Sequence, residues 1–201
     1  MRRSDVLLAV AGSGVTVLAA AVAADGGPAR GEVGVFRAVN DLPGALEVLL
    51  WPPMQLGARA GPVVVAVVAA AVLRRAGPPL ALAAAGFGAH TVAEALKDVV
   101  ERARPGVLLS GVHLRDSTTV DSLGFPSSHA ATAFGLATVA VTLLPRRGWR
   151  IGAWVLAGLV ALGRVHAGAH LPLDVIGGAA IGVATGGAVR LVTRDPAGLH
   201  P

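Results

Sequence analysis

Gly163–Asp174 reads GRVHAGAHLPLD, which places an arginine, two histidines and an aspartate between two apolar runs. The flanking runs, Ile151–Gly163 and Val175–Val189, contain no Asp, Glu, Lys or Arg, in a chain where only 14% of residues are charged. Gly168 and Pro172 argue against one continuous helix through the stretch, and Pro172 suits the first turn of a new helix. The stretch therefore reads as a polar link at the lip of two apolar helices.

Outward from this link, Val6–Ala24, Ala76–Ala93 and Ser122–Pro145 are also uncharged. They approach or exceed the ~17–25 residues that a helix needs to cross the hydrocarbon layer. Ala60–Leu73 and the two runs beside the link are shorter, and at about 1.5 Å per residue they need flanking residues to span. Buried helices of a soluble core are the alternative for these three. The whole chain of 201 residues is 54% hydrophobic, with 27 glycines and a mean hydropathy of +0.67. So much apolar sequence does not fit inside one small water-soluble core. The abundant Ala and Gly let membrane helices approach closely. The expected fold is all-α: one domain over residues 1–201, an integral membrane bundle of six transmembrane helices.

The N-terminus has two readings. Arg2, Arg3, an apolar run and AVAAD imitate a signal peptide, yet Val6–Ala24 exceeds the usual ~7–15-residue apolar core, which favours an uncleaved first helix. The net charge of +5 does not indicate nucleic acid, because the basic residues are scattered and only 3% of residues are aromatic. With no cysteine, disulfides and thiolate chemistry are excluded.

Six spans sort the arginines by side. Arg2, Arg3, Arg74, Arg75, Arg146, Arg147, Arg150, Arg190 and Arg194 fall on the side of both termini, which the positive-inside rule makes cytoplasmic. The other face receives Asp25–Arg59, with a short interfacial helix near Leu46–Leu50, together with Lys97–Phe125 and the opening link. The location implied is the cell membrane, multi-pass, with polar clusters on the extracytoplasmic face.

Three clusters meet there. In KDVVERARP, Lys97 and Arg104 are two helical turns apart, so on a helix ended by Pro105 they share a face that suits an anion. Snorkelling toward lipid headgroups is the plainer alternative. Asp98, Glu101 and Arg102 read as solvated neighbours. In FPSSHAATAFG, Pro126, Ser127, Ser128 and His129 precede an apolar run, and a capped helix N-terminus attracts phosphate. A capped helix with a chance histidine is the alternative. In the opening link, His170 and Asp174 are four apart, so Asp174 can accept a hydrogen bond from one ring nitrogen and leave the other to attack, while Arg164 offers a forked donor. His166, His170 and Asp174, at i, i+4 and i+8, also match a two-His-one-carboxylate metal site, against which the helix breakers count. Arrival of all three clusters at one face points to function.

The order Lys, six residues, Arg-Pro; Pro-Ser-x-His; Arg, five residues, His, three residues, Asp resembles the type 2 phosphatidic acid phosphatase superfamily, which shares its site with vanadium haloperoxidases. The match runs from Lys97 to Asp174. The resemblance implies that His170 is a nucleophile forming a phosphohistidine, that Asp174 orients it, and that His129 protonates the leaving oxygen and then activates water. It implies that Lys97, Arg104, Arg164, Ser127 and Ser128 hold the phosphate, and that neither a metal nor another cofactor takes part. The sequence departs from the family in Ser128, where Gly is usual, and in Gly163, where Ser is common. Polyprenyl pyrophosphate, phosphatidate and phosphatidylglycerophosphate are the leading lipid substrates implied, with Gly106–Phe125 as the specificity segment and His113, Arg115 and Asp116 as loop residues in it. A non-catalytic transporter or binder of anionic lipids is the rival reading, and a metal-dependent hydrolase a second.

Overall fold

The computed structural model describes residues 3–115, 118 and 121–193; Arg2, Asp116 and Arg194 lie outside them. Nine α-helices are present among the described residues: α1 (Arg3–Ala23), α2 (Glu32–Asn40), α3 (Leu46–Met54), α4 (Gly61–Leu73), α5 (Gly77–Val100), α6 (Pro105–Leu108), α7 (Ser128–Leu143), α8 (Arg147–His166) and α9 (Pro172–Val192). The described residues form no strand, only an isolated bridge between Ala103 and Leu123. The six apolar runs each become one of the longer helices, and α3 lies where the short helix was expected. Helix α2 was not anticipated.

Helices α1 and α9 are each long and apolar enough to cross a membrane. The segments Leu46–Gly57 and Gly61–Leu73 meet the same criterion as a pair, bent by 77°. Pro52 and Pro53 lie within α3 and the bend follows a 3-10 turn at Gln55–Gly57. Helix α1 turns Leu7, Val10, Val17 and Leu18 outward, each more than 60% exposed. Bare apolar faces of this kind suit lipid as their solvent.

Helix α7 occupies the centre, its first half almost wholly buried. It packs on α9 through glycines. A Cβ at Gly182 would come within 2.4 Å of the Ala131 carbonyl, and one at Gly178 within 2.2 Å of the Ser127 carbonyl, so only glycine allows this separation. Helix α1 lies on the other side of α9, where Arg190 Nη2 reaches Asp5 Oδ1 at 2.6 Å. That bond joins the start of α1 to the end of α9. The polar clusters gather at the opposite end, where α5 and α8 finish and α7 and α9 begin.

Two local expectations are corrected. Lys97 and Arg104 do not share a helix, because α5 stops at Val100 and Glu101 adopts a left-handed conformation with φ +52°. Arg104 is extended, and Pro105 starts α6 instead of ending α5. The run Ser122–Pro145 is helical only from Ser128: the preceding segment is loop, with a cis bond between Phe125 and Pro126.

Candidate active site

The link between α8 and α9 is held open by backbone geometry. Gly168 has φ +74°, and a Cβ there would lie 2.6 Å from the His113 carbonyl, so the turn needs glycine. The turn carries His170, only 1% exposed, toward Gly124. His170 Nδ1 lies 2.8 Å from the Gly124 carbonyl oxygen. A carbonyl can only accept, so Nδ1 carries the hydrogen and Nε2 holds the lone pair. The expected bond from Asp174 to the ring is therefore corrected. Asp174 Oδ2 stands 3.7 Å from Nδ1 and accepts instead from the Leu171 N–H at 2.8 Å, because at the first turn of α9 the backbone donor is nearer than the ring.

Three cations act on the ring through their charge. Burial, then the charges of Arg164, Arg104 and Lys97, hold the His170 pKa well below its ordinary value of 6.5, against the opposing bond to Gly124. Arg164 reaches the site from the last turn of α8 and is 7% exposed. Burial lowers the Arg104 pKa, opposed by the charges of Asp174 and Glu94. Lys97 Nζ pairs with Glu94 Oε1 at 2.7 Å, one turn back on α5. Beside that pair, a hollow of about 560 Å³ opens between α5 and Ser122–Leu123.

His129 enters from the first turn of α7, with Arg164, His170, His90 and Lys97 as its electrostatic neighbours. Ser127 caps that helix, its hydroxyl accepting from the Ala130 N–H at 3.4 Å, and its own N–H donates to the Asp174 carbonyl at 2.9 Å. Ser128 is buried and lies within hydrogen-bonding reach of the Glu94 carboxylate. The structure thus brings His129, His170, Asp174, Lys97, Arg104, Arg164, Ser127 and Ser128 to one end of the bundle. A ring lone pair among three cations, beside a second imidazole and a helix N-terminus, has the chemistry of a phosphate site.

His166 is not part of it. Its Nε2 faces the Pro43 carbonyl at 3.3 Å, so His166, His170 and Asp174 do not converge as metal ligands. Among the described residues, no group of three or more His, Cys, Asp or Glu side chains is placed to hold a metal.

The PAP2 superfamily pattern matches residues 78–196. The chain belongs to the PAP2 superfamily. It is 33% identical over 168 residues to the Decaprenylphosphoryl-5-phosphoribose phosphatase of Mycobacterium tuberculosis, in strains CDC 1551 / Oshkosh and ATCC 25618 / H37Rv, covering 81% of this chain and 91% of that protein. Its fold is similar to that of LpxE from Aquifex aeolicus, with a TM-score of 0.70 and 26% identity over 79% of this chain and 94% of the other. It is also similar to that of a transmembrane PAP2 type phosphatidylglycerolphosphate phosphatase from Bacillus subtilis, with a TM-score of 0.73 and 22% identity over 92% and 94%.

One residue of this PAP2 site was misread from sequence. Arg102, expected to be solvated, has 0% exposure, whereas its neighbours Asp98 and Glu101 are exposed as expected. Its Nη1 donates to Asp174 Oδ1 at 2.8 Å, and its Nη2 to Glu32 Oε2 at 2.5 Å and to the Gly27 carbonyl at 2.9 Å. Burial opposes the charge, but the bond to Glu32 and the field of Asp174 outweigh it and raise the Arg102 pKa above its ordinary value. The signal available was the spacing of Arg102 and Arg104, which face the same way only once the segment is extended. Glu32 is 70 residues away and carried no signal at all.

His113 and Arg115 are loop residues. Asn40 Nδ2 donates to the His113 carbonyl at 2.9 Å, and Arg115 Nη1 donates to the Asn40 carbonyl at 3.0 Å. These bonds tie the loop over α2 and the end of α8.

Proposed function

We propose that the protein is an integral membrane phosphatase that hydrolyses a lipid phosphomonoester or pyrophosphate through a phosphohistidine. The observation that carries the reading is the buried His170 ring, whose Nδ1–H is bound to the Gly124 carbonyl at 2.8 Å, within the field of Arg164, Arg104 and Lys97. The Mycobacterium tuberculosis relative, named a phosphatase, supports the same class.

In this reading, phosphate binds to Lys97, Arg104 and Arg164, with Ser127, Ser128 and the free N–H groups of α7 completing the cradle. The arriving dianion offsets the cations around His129, which then takes up the proton it later gives. His170 Nε2 attacks phosphorus, the phosphorus–oxygen ester bond breaks, and His129 protonates the departing oxygen. His129 next takes a proton from water, the water oxygen attacks phosphorus, and the phosphorus–nitrogen bond breaks to release inorganic phosphate. Placement and fixed positive charge supply most of the acceleration, with no metal required.

Six spans, formed by α1, α4, α5, α7, α8 and α9, place the site on the extracytoplasmic face within a single domain. The support is directional: the helix ends that carry Arg3, Arg74, Arg146 and Arg190 all lie away from His170. The lipid keeps its tail in the bilayer and lends only its headgroup. The substrate for which the Mycobacterium tuberculosis relative is named, decaprenylphosphoryl-5-phosphoribose, belongs at the head of the panel.

The test is phosphate release in detergent from a panel of lipid phosphates, with His170→Ala as control. The expected result is release by the parent protein and none by the variant. Release that survives His170→Ala in purified protein overturns the mechanism, and activity lost in excess chelator overturns metal independence.

A further inference from the structure

The loop and turn that hold His170 converge on a single buried side chain. We propose that Arg102, seated on Glu32, is a positioning residue for the reaction above, holding in place both groups that fix the His170 ring. This rests on His170 being the nucleophile.

The geometry is two-sided. Through its side chain, Arg102 Nη1 binds Asp174 Oδ1 at 2.8 Å, while Asp174 Oδ2 accepts from Leu171 N at 2.8 Å. The turn from 170 to 174 is thereby clamped to the start of α9. Through its main chain, the Arg102 carbonyl accepts from Gly124 N at 2.6 Å, and the Gly124 carbonyl accepts from His170 Nδ1 at 2.8 Å. One residue thus anchors the carbonyl that sets the ring's tautomer and the carboxylate behind its turn.

Glu32 completes the seat. Its Oε1 accepts from Leu173 N at 2.7 Å and its Oε2 from Ala29 N at 2.8 Å, in addition to receiving the guanidinium. The loop after α1, the segment after α5 and the first turn of α9 therefore meet at one guanidinium. Such a junction needs the planar fork of arginine, since an ammonium cannot address Asp174, Glu32 and the Gly27 carbonyl in fixed directions at once. Both terminal nitrogens of Arg102 are engaged within the protein. Its effect therefore reaches phosphorus only through the position of the His170 ring.

The expected signature is loss of turnover without loss of binding. In Arg102→Gln, kcat should fall at least about a hundredfold, the scale of a misplaced reacting group, while KM and inhibition by inorganic phosphate stay within about threefold. Arg102→Lys, which keeps the charge but not the fork, should recover about tenfold over Arg102→Gln. Glu32→Gln leaves the bond to Asp174 in place and should cost kcat about tenfold, so it tests the proposal even where Arg102→Gln does not fold. Because Arg102 and Asp174 act as a unit, Arg102→Gln should cost at most about threefold more in an Asp174→Asn background.

An unchanged kcat in folded Arg102→Gln and Glu32→Gln overturns the proposal, as does full additivity with Asp174→Asn. A rise in KM and phosphate inhibition constant with kcat intact also overturns it, by making Arg102 a phosphate ligand. His170→Ala, assayed alongside, separates the two levels. Release that persists there defeats the mechanism itself, whereas release lost there with Arg102→Gln fully active defeats only the positioning role.

Discussion

His170 Nδ1 lies 2.8 Å from the Gly124 carbonyl and 3.7 Å from Asp174 Oδ2, so a peptide oxygen, not the carboxylate, holds the ring. With the hydrogen committed to Nδ1, reactivity resides on Nε2, which must be unprotonated to attack. Burial and the charges of Arg164, Arg104 and Lys97 keep the pKa well below 6.5, so the neutral ring persists as pH falls through 6.5. The acid limb of kcat/KM should therefore lie below pH 6.5. Arg164→Gln removes a charge that depresses the pKa, so the limb should move upward. Profiles of the parent and variant on one substrate, whose own ionisation then cancels, provide the measurement; a limb that moves down or stays fixed contradicts the assignment.

Glu94 neutralises Lys97 before any phosphate arrives, through a 2.7 Å pair whose carboxylate side is 38% exposed. Glu94→Gln should free the ammonium and lower KM about two- to fivefold, the scale of a partly exposed ion pair. Steady-state kinetics at low and high salt check this, since the gain should shrink as salt screens the site.

Asn40 is fully buried and donates to the His113 and His166 carbonyls, while its own Oδ1 accepts from the His113 N–H at 2.9 Å. Asn40→Ala removes the partner of the His113 carbonyl and N–H, at a cost of about 1–3 kcal/mol, while the His166 carbonyl keeps its bond from Arg115 Nη1. The loop it ties down packs on Gly168, in the turn that leads to His170, so kcat should fall together with stability. Thermal unfolding together with kinetics across several lipid phosphates measures both parts.

Gly182 lets α7 and α9 approach without a side chain between them. Gly182→Ala would place its Cβ 2.4 Å from the Ala131 carbonyl and 2.6 Å from the Gly135 nitrogen. Both obstacles are backbone, so the helices must part, at a cost of about 1–3 kcal/mol. A lowered unfolding temperature in detergent is expected, and an unchanged one means the helices separate freely. Gly148→Ala, at a position with open space around it, is the control.

Much of this protein was legible along the chain because the signals were local. Apolar runs without charges produced the six long helices, and the order of lysine, arginine, serine, histidine and aspartate marked the residues that later gathered at one end. Composition and spacing also carried the family. They failed where a contact joined segments far apart. Lys97 and Arg104 were expected on one helix, but Glu101 turns left-handed and ends α5, and Arg102 just beyond it binds Asp174 in the interior. The carboxylate of Asp174 was one turn from His170 in sequence, yet Leu171 N and Arg102 claimed its oxygens first. Glu32 had no mark at all. Periodicity reports which face of an element is apolar, so it determined the helices; the partner of a buried charge is whichever group packing brings within 3 Å, and only the tertiary structure decided that.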